Sequence, residues 1–112
     1  MGSLVLRWVR PLLAASCAAV LLGSSPGAAQ DAIEVQMRNN LYEPPQLTVP
    51  AGTAVRFVNL DADIHTVSQR GGGFESGLMF NRDAWTYVFN DPGTYDYFCL
   101  PHPLMVGTVT VQ

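Results

Sequence analysis

The chain has 112 residues, of which 48% are hydrophobic and 13% are charged. This balance argues against a disordered segment and leaves room for one small globular domain at most. Six arginines, no lysine and nine acidic residues give a formal net charge of −3. We therefore expect no nucleic-acid partner, because such proteins bind through a basic patch.

The first element along the chain is an N-terminal apolar run. Arg7 and Arg10 precede residues 12–22, which read LLAASCAAVLL. A membrane span needs about 20 apolar residues, whereas this run has the length of a secretory signal sequence. Small residues at Gly27 and Ala29 predict cleavage after Ala29. An uncleaved N-terminal anchor is the alternative.

With residues 1–29 as a signal peptide, residues 30–112 form the mature domain. Removing 29 of 112 residues leaves 83, with four arginines, nine acidic residues and a net charge of −5. We expect this domain in the periplasm, without stable membrane insertion. Its single cysteine, Cys99, has no partner for a disulfide in the mature chain. An unpaired thiol in an oxidising compartment requires burial or a metal to protect it.

Apolar and polar residues alternate in short stretches through the mature chain, a pattern typical of half-buried strands. The clearest stretches are 33–38, 47–49, 54–59, 85–89, 95–99 and 108–111. About seven short strands without helical periodicity predict an all-β fold, a small antiparallel sandwich or barrel. Residues 69–84 lack this pattern, and we expect a long loop there with one edge strand at most.

The strand that reaches the cysteine has a clear inside and outside. A side-chain period of two places Tyr95, Tyr97 and Cys99 on the core face. The same period leaves Asp96 and Phe98 on the outer face. We therefore expect the thiol in a dry, apolar environment.

A cluster of metal-ligating residue types follows this strand. Cys99, His102 and Met105 have the spacing C-x2-H-x2-M in a short segment between two predicted strands. His65 is the only other histidine of the chain. One thiolate, two imidazoles and a weak thioether are the ligands of a blue-copper electron-transfer centre.

The sequence resembles the cupredoxins, and the CLPHPLM loop is most similar to that of the amicyanins within this family. The likeness covers residues 42–59 and 90–111. It implies a Greek-key β-sandwich with about seven strands, a single type 1 copper ion and one-electron transfer. The resemblance also implies the ligands, namely His65, Cys99 and His102 in strong equatorial positions and Met105 in the long axial position.

One residue departs from the family pattern. In many cupredoxins an asparagine follows the first histidine ligand and ties the two ligand-bearing segments together. Thr66 occupies that position here. We expect its hydroxyl to make part of the same connection.

The second histidine is expected to lie nearest the surface. His102 stands between Pro101 and Pro103 and is followed by Leu104. An apolar rim of this kind fits the small interfaces of weak redox complexes.

We therefore predict a monomeric electron carrier, not an enzyme. It cycles between Cu(II) and Cu(I) and meets its redox donor and acceptor proteins transiently.

The main alternative is a periplasmic carrier that delivers copper, although carriers often have Met-rich or His-rich tracts that this chain lacks. A structural zinc site rarely uses a thioether. A cysteine nucleophile needs an open thiolate, in conflict with the predicted inward position of Cys99.

Overall fold

The computed structural model describes residues 32–112. The predicted signal peptide and its cleavage site lie outside the described residues. Within residues 32–112 the chain forms eight strands and no helix, and accordingly none that is long and apolar enough to cross a membrane. The strands are β1 (Ile33–Arg38), β2 (Leu41–Glu43), β3 (Gln46–Val49), β4 (Thr53–Asn59), β5 (Ser68–Gln69), β6 (Ala84–Phe89), β7 (Gly93–Phe98) and β8 (Val106–Val111).

The strands form two four-stranded sheets, in the orders β2-β1-β4-β6 and β3-β8-β7-β5. The predicted all-β sandwich is confirmed. Both sheets are mixed, however, because β1 pairs with β4 and β3 pairs with β8 in parallel. The other pairs among the described strands are antiparallel, as predicted. Alternation in a sequence assigns the two faces of a strand but not the direction of its neighbour.

The β1–β2 hairpin has a tight turn that contacts the segment after β4. Asn39 and Asn40 form its two-residue loop, with φ angles of 55° and 58°. Positive φ at both positions is the requirement of a type I′ turn, and asparagine accepts this conformation more readily than most residues. The turn leaves the backbone N–H groups of both asparagines pointing at Asp61.

The core lies between the sheets and includes a residue from the long loop after β5. Phe74 is 5% exposed and packs against the aromatic side chains of β6. The fully buried aliphatic and aromatic side chains include Val35, Met37, Tyr42, Val49, Val55, Phe57, Val67, Phe89, Tyr97 and Val109. Between β4 and β6, the two-residue β5 is the only strand that the described chain forms.

The strand β7 follows its predicted alternation, although Tyr95 on the core face is only half-buried. Tyr97 and the following Cys99 are fully buried, and Asp96 is exposed. Phe98 is half-buried instead of exposed. The guanidinium carbon of Arg70 lies 4.7 Å from the centre of the Phe98 ring. A cation over an aromatic face is a favourable contact, so Arg70 covers a surface that the sequence pattern assigns to solvent.

Candidate metal centre

Backbone hydrogen bonds close the loop that carries the C-x2-H-x2-M motif. The N–H of Cys99 donates to the Met105 carbonyl at 3.1 Å. The N–H of His102 donates to the Cys99 carbonyl at 3.2 Å, and that of Met105 donates to the His102 carbonyl at 2.9 Å. The loop therefore holds its three sulfur- and nitrogen-bearing side chains at one end of the sandwich.

A separate segment brings His65 to the same end. The His65 N–H donates to the Met79 carbonyl at 3.1 Å, and the Met79 N–H donates back to the His65 carbonyl at 2.8 Å. This reciprocal pair fixes the backbone at the histidine. His65 itself is fully buried.

Asn59, at the end of β4, shapes the turn before His65. Its side-chain amide donates to the carbonyls of Asp63 and Met79, each at 2.8 Å. Its side-chain oxygen accepts a hydrogen bond from the N–H of Asp61 at 2.8 Å. Sequence reasoning did not assign this role. The available signal was a polar residue at the inward-facing position that follows Val55 and Phe57 in the alternation.

The side chains of His65, Cys99 and His102 converge. The Nδ1 atoms of the two histidines are 3.2 Å apart, and each lies 3.6 Å from the Cys99 Sγ atom. The structure therefore brings together three of the four predicted ligands. Met105 is 2% exposed and lies on the same loop, and its role as a ligand stays a prediction.

These three atoms fit a single transition-metal ion. Zinc, for example, bonds histidine nitrogen at about 2.0 Å and thiolate sulfur at about 2.3 Å. Three ligand atoms separated by 3.2 to 3.6 Å can therefore share one ion. One thiolate with two imidazoles in a trigonal arrangement suits copper in both of its oxidation states. Burial of Cys99 and His65 keeps water from that ion.

Asp61 fixes the orientation of the His65 ring. Its Oδ2 atom lies 2.7 Å from His65 Nε2, and its carboxylate accepts hydrogen bonds from the N–H groups of Asn39 and Asn40 at 2.8 and 3.0 Å. A proton on Nε2 leaves the Nδ1 lone pair free for a metal. Sequence reasoning missed Asp61. The signal was an acidic residue four positions before the histidine.

The same hydrogen bonds lower the pKa of the Asp61 carboxyl. Partial burial raises that pKa, but the bonds from the Asn40 N–H, from His65 and from the Asn39 N–H outweigh the burial. Asp61 is therefore a carboxylate at neutral pH. A negative charge at the outer nitrogen of His65 makes the ring a stronger electron donor to a metal at Nδ1.

Within residues 32–112, the sulfur of Cys99 has one backbone donor. The N–H of Thr66 points at the Cys99 Sγ atom at 3.4 Å. Such a contact withdraws electron density from a thiolate and tunes the metal that it binds. Because Thr66 follows His65 directly, one short segment supplies both a predicted ligand and a hydrogen bond to a second predicted ligand.

His102 is the site residue nearest solvent, as predicted. Its side chain is 30% exposed, and its Nε2 atom lies 4.0 Å from the Asp63 carboxylate. Leu104 follows in the loop and is 96% exposed. The metal centre therefore meets the surface at a histidine edge beside an exposed leucine.

Comparisons with known proteins agree with this geometry. Residues 11–111 match the family model described as a cupredoxin-like domain. The chain is 33% identical to amicyanin-alpha of Methylorubrum extorquens over 116 residues, covering 96% of this chain and 98% of that protein. It is 30% identical to plastocyanin of Prochlorothrix hollandica over 108 residues, covering 83% and 82% respectively. A solved structure of an amicyanin mutant in its Cu(I) form has a TM-score of 0.70 and 34% identity, covering 76% of this chain and 86% of that one.

Proposed function

The chain belongs to the cupredoxin family, and from this membership we propose that it carries single electrons on one type 1 copper ion. The observation that supports the proposal is the convergence of His65 Nδ1, Cys99 Sγ and His102 Nδ1 within 3.6 Å of one another. Copper supplies the Cu(II)/Cu(I) couple, and the protein is an electron carrier, not an enzyme.

We assign His65, Cys99 and His102 as the equatorial ligands and Met105 as the weak axial ligand. The burial of Met105 and its backbone bonds to Cys99 and His102 support this assignment. Two imidazoles, one thiolate and a long thioether contact form the ligand set of blue copper proteins.

The backbone holds the proposed ligands rigidly, which suits electron transfer. Two paired backbone bonds hold His65 at Met79, and three more close the loop from Cys99 to Met105. Ligand atoms fixed in this way move little when the charge of the ion changes by one. Small movement favours rapid electron transfer, because little reorganisation accompanies each step.

The first experiment is the titration of the purified mature chain with Cu(II), followed by its visible spectrum. A short thiolate bond to Cu(II) predicts an intense blue or green colour that a reductant bleaches reversibly. Cys99→Ser is expected to abolish the colour. Preferential uptake of zinc by the wild-type protein, without colour in excess Cu(II), would overturn the proposed function.

A matched pair of methionine variants tests the axial ligand. Met105→Leu and Met37→Leu both replace a buried methionine by leucine, but Met37 lies on β1 and is not assigned to the site. We expect Met105→Leu to change the visible spectrum and the midpoint potential, and Met37→Leu to change neither. Equal spectra and potentials for Met105→Leu and the wild type would remove Met105 from the ligand set.

Copper delivery is the second candidate function, and burial argues against it. A delivery protein presents its ligands so that a recipient can take the ion. Here both His65 and Cys99 are fully buried. We expect copper loss to a chelator over many hours, whereas loss within seconds would favour delivery.

We propose that the mature protein is a periplasmic monomer that begins at Gln30 and meets donor and acceptor proteins transiently. The N-terminal charges, the apolar run at 12–22 and the small residues before Gln30 support export and cleavage. The mass of the intact exported protein tests the cleavage site. A mass that still includes residues 12–22 would contradict it, and sedimentation that shows a stable dimer would contradict the monomer.

A further inference from the structure

Aromatic side chains connect the metal centre with the edge of one sheet. Tyr97 lies two residues before Cys99, and both side chains are fully buried on the core face. Neighbours on one face of a strand are roughly 7 Å apart. The Tyr97 ring contacts Phe57 on β4, with ring centres 5.5 Å apart, and Phe57 contacts Trp85 on β6 at 5.8 Å. This series of rings, here called the aromatic path, therefore leads from the proposed ligand Cys99 to the Trp85 indole.

A second ring bridges the same two ends of the aromatic path. The centre of the Phe74 ring lies 5.8 Å from that of Trp85 and 6.5 Å from that of Tyr97. Phe57 and Phe74 are both buried, so packed rings and not water fill the space between the indole and the phenol. An electron passes more readily through packed rings than across a gap of the same width.

The outer end of the aromatic path is open to the surroundings. Trp85 is half-buried and lies on β6, the edge strand of its sheet among the described strands. Its ring stacks on Tyr87, with centres 5.6 Å apart and planes inclined by 21°. Small radicals in water can therefore reach the indole, and water can accept its proton. Trp85 is also the only tryptophan of residues 30–112, so oxidation of an indole in the mature chain is assigned to one residue.

The buried phenols next to the metal centre are poor places for a radical. A phenol that loses one electron becomes a strong acid, and the radical is stable only where a base takes the proton. The Tyr97 hydroxyl is buried and has no hydrogen-bond partner among residues 32–112. The adjacent Tyr42 hydroxyl donates to the Thr66 carbonyl, which is a weak base. Because an uncompensated charge in the core is costly, the stable positions for an oxidising equivalent are the two ends of the aromatic path.

We propose that the protein intercepts one-electron oxidants of the peroxyl-radical class at Trp85, and that its reduced metal centre repairs the resulting indole radical through the aromatic path. The proposal rests on the proposed function, which supplies the electron of Cu(I). The peroxyl radical takes one electron from the indole and a proton from water, and becomes a hydroperoxide. The oxidised indole releases its ring N–H proton to water. Repair returns one electron from Cu(I) and one proton from water to the indole, which leaves Trp85 intact and the copper as Cu(II).

The direction of the repair follows from the two oxidants involved. An indole radical is a far stronger oxidant than Cu(II) bound by a thiolate, so the electron moves outward to Trp85. The Cu(II) that remains is the ordinary oxidised state of the carrier, which its electron donor reduces again. Repair therefore uses the normal cycle of the protein, with a small radical in place of the acceptor protein.

Pulse radiolysis of the Cu(I) protein in azide solution tests the electron-transfer step. The azide radical oxidises indoles by one electron, and both the indole radical and the blue Cu(II) centre absorb visible light. We expect the indole radical to decay and the blue colour to appear at the same rate and in equal amounts. The rate should not depend on protein concentration, because both ends of the aromatic path belong to one molecule.

A relocated indole is the first control. Thr86 is the next residue of β6 and is exposed on the outer face of the sheet. A double variant with Trp85→Phe and Thr86→Trp therefore moves the indole by one position and removes it from the aromatic path without changing a fully buried side chain. We expect this variant to lose the shared first-order phase.

Core variants then identify the bridge. Phe57→Leu and Phe89→Leu each remove one buried ring, but only Phe57 lies between Trp85 and Tyr97. We expect Phe57→Leu to slow the shared phase and Phe89→Leu to leave it unchanged. Tyr97→Phe keeps the ring and removes only the hydroxyl, so its rate should equal that of the wild type if Tyr97 is a bridge and not a radical site.

Covalent damage at Trp85 gives a readout that does not depend on the copper spectrum. The Cu(I) protein and the metal-free protein are exposed to peroxyl radicals from a water-soluble azo initiator, and oxidised Trp85 is measured by peptide mass spectrometry. We expect oxidised Trp85 to accumulate from the start in the metal-free protein. In the Cu(I) protein it should accumulate only after the Cu(I) has been consumed.

Three results would overturn the proposal. A decay rate of the indole radical that rises in proportion to protein concentration would show reaction between molecules. Equal rates for Trp85 and for the relocated indole would show that the aromatic path is not used, and equal oxidation of Trp85 with and without Cu(I) would exclude repair. A protein that stays colourless in Cu(II) would instead refute the proposed function, whereas a blue protein without the shared phase would refute the repair alone.

Discussion

The hydroxyl of Thr66 accepts a hydrogen bond from the backbone N–H of Leu100 at 2.9 Å. Thr66 follows one predicted ligand, His65, and Leu100 follows another, Cys99. The expected connection between the two ligand-bearing segments is therefore present, with threonine in the position where many cupredoxins have asparagine. Ser68 supports this arrangement, because its hydroxyl lies 2.8 Å from the Thr66 hydroxyl.

Thr66→Val tests the connection, because valine keeps the shape of threonine but has no acceptor for the Leu100 N–H. We expect the free energy of unfolding of the metal-free protein to fall by about 2 kcal/mol, because valine removes the hydrogen bonds of the Thr66 hydroxyl with both the Leu100 N–H and the Ser68 hydroxyl. Copper loss to a chelator should also become faster. Urea denaturation and chelator kinetics measure the two effects, and Thr66→Ser is the control that retains the hydroxyl. Equal copper loss from the valine and serine variants would contradict this role.

Asp61→Asn tests the carboxylate behind His65. An amide keeps the approximate shape but removes the negative charge that favours the more positive Cu(II) state, so we expect the midpoint potential to rise. We expect this rise to be roughly 40 mV, because a free-energy change on the order of 1 kcal/mol corresponds to that shift for one electron. Voltammetry measures the shift, and Asp91→Asn is the control for the loss of one charge. A lowered potential, or equal shifts in the two variants, would exclude this effect.

Pro101→Ala tests the electron density at the Cys99 sulfur. Proline has no N–H to donate, so within the described residues the sulfur receives its backbone hydrogen bond from Thr66 alone. Alanine at this position offers a second N–H close to the sulfur, which would favour Cu(I). We expect the midpoint potential to rise by roughly 40 mV, with the blue colour retained. For one electron this shift corresponds to about 1 kcal/mol, the net contribution of one hydrogen bond. If Pro101 only stiffens the loop, stability will fall and the potential will stay unchanged or decrease.

Two buried tyrosines predict a loss of stability at high pH. Burial raises the pKa of both phenols, those of Tyr42 and Tyr97, above the ordinary value near 10. Above that pH the unfolded chain releases protons that the folded chain retains, so stability falls as pH rises. Each phenol adds a slope of about 1.4 kcal/mol per pH unit.

Urea denaturation of the metal-free protein between pH 8 and 11 measures this slope. Tyr42→Phe is expected to reduce it by about half, since one of the two phenols is removed. The variant should also be less stable at pH 8, because the Tyr42 hydroxyl donates to the buried Thr66 carbonyl, and an unsatisfied buried acceptor costs about 1 to 3 kcal/mol. An identical pH slope in the variant and the wild type would show that the Tyr42 phenol does not titrate on unfolding.

Local patterns in the sequence predicted six of the eight strands, all except the short β2 and β5, together with the loop part of the candidate site. Alternation placed Tyr97 and Cys99 inside, and this position is confirmed because a period of two is a property of each strand by itself. The spacing of Cys99, His102 and Met105 likewise needs no distant residue, since a loop of seven residues keeps its members close. His65 could be added to these three residues for two reasons. It is the only other histidine of the chain, and the family resemblance implies it as a ligand.

The tertiary structure alone decided which distant groups meet. It paired β1 with β4 and β3 with β8 in parallel, because strand direction depends on chain crossings that alternation does not encode. It placed the Asn39–Asn40 turn against Asp61, 21 to 22 positions away in sequence. It also set Asp63 beside His102, 39 positions further along the chain. The sequence therefore predicted which residues bind the metal, whereas packing of the two sheets determined the hydrogen bonds that orient them and the charge beside their exposed edge.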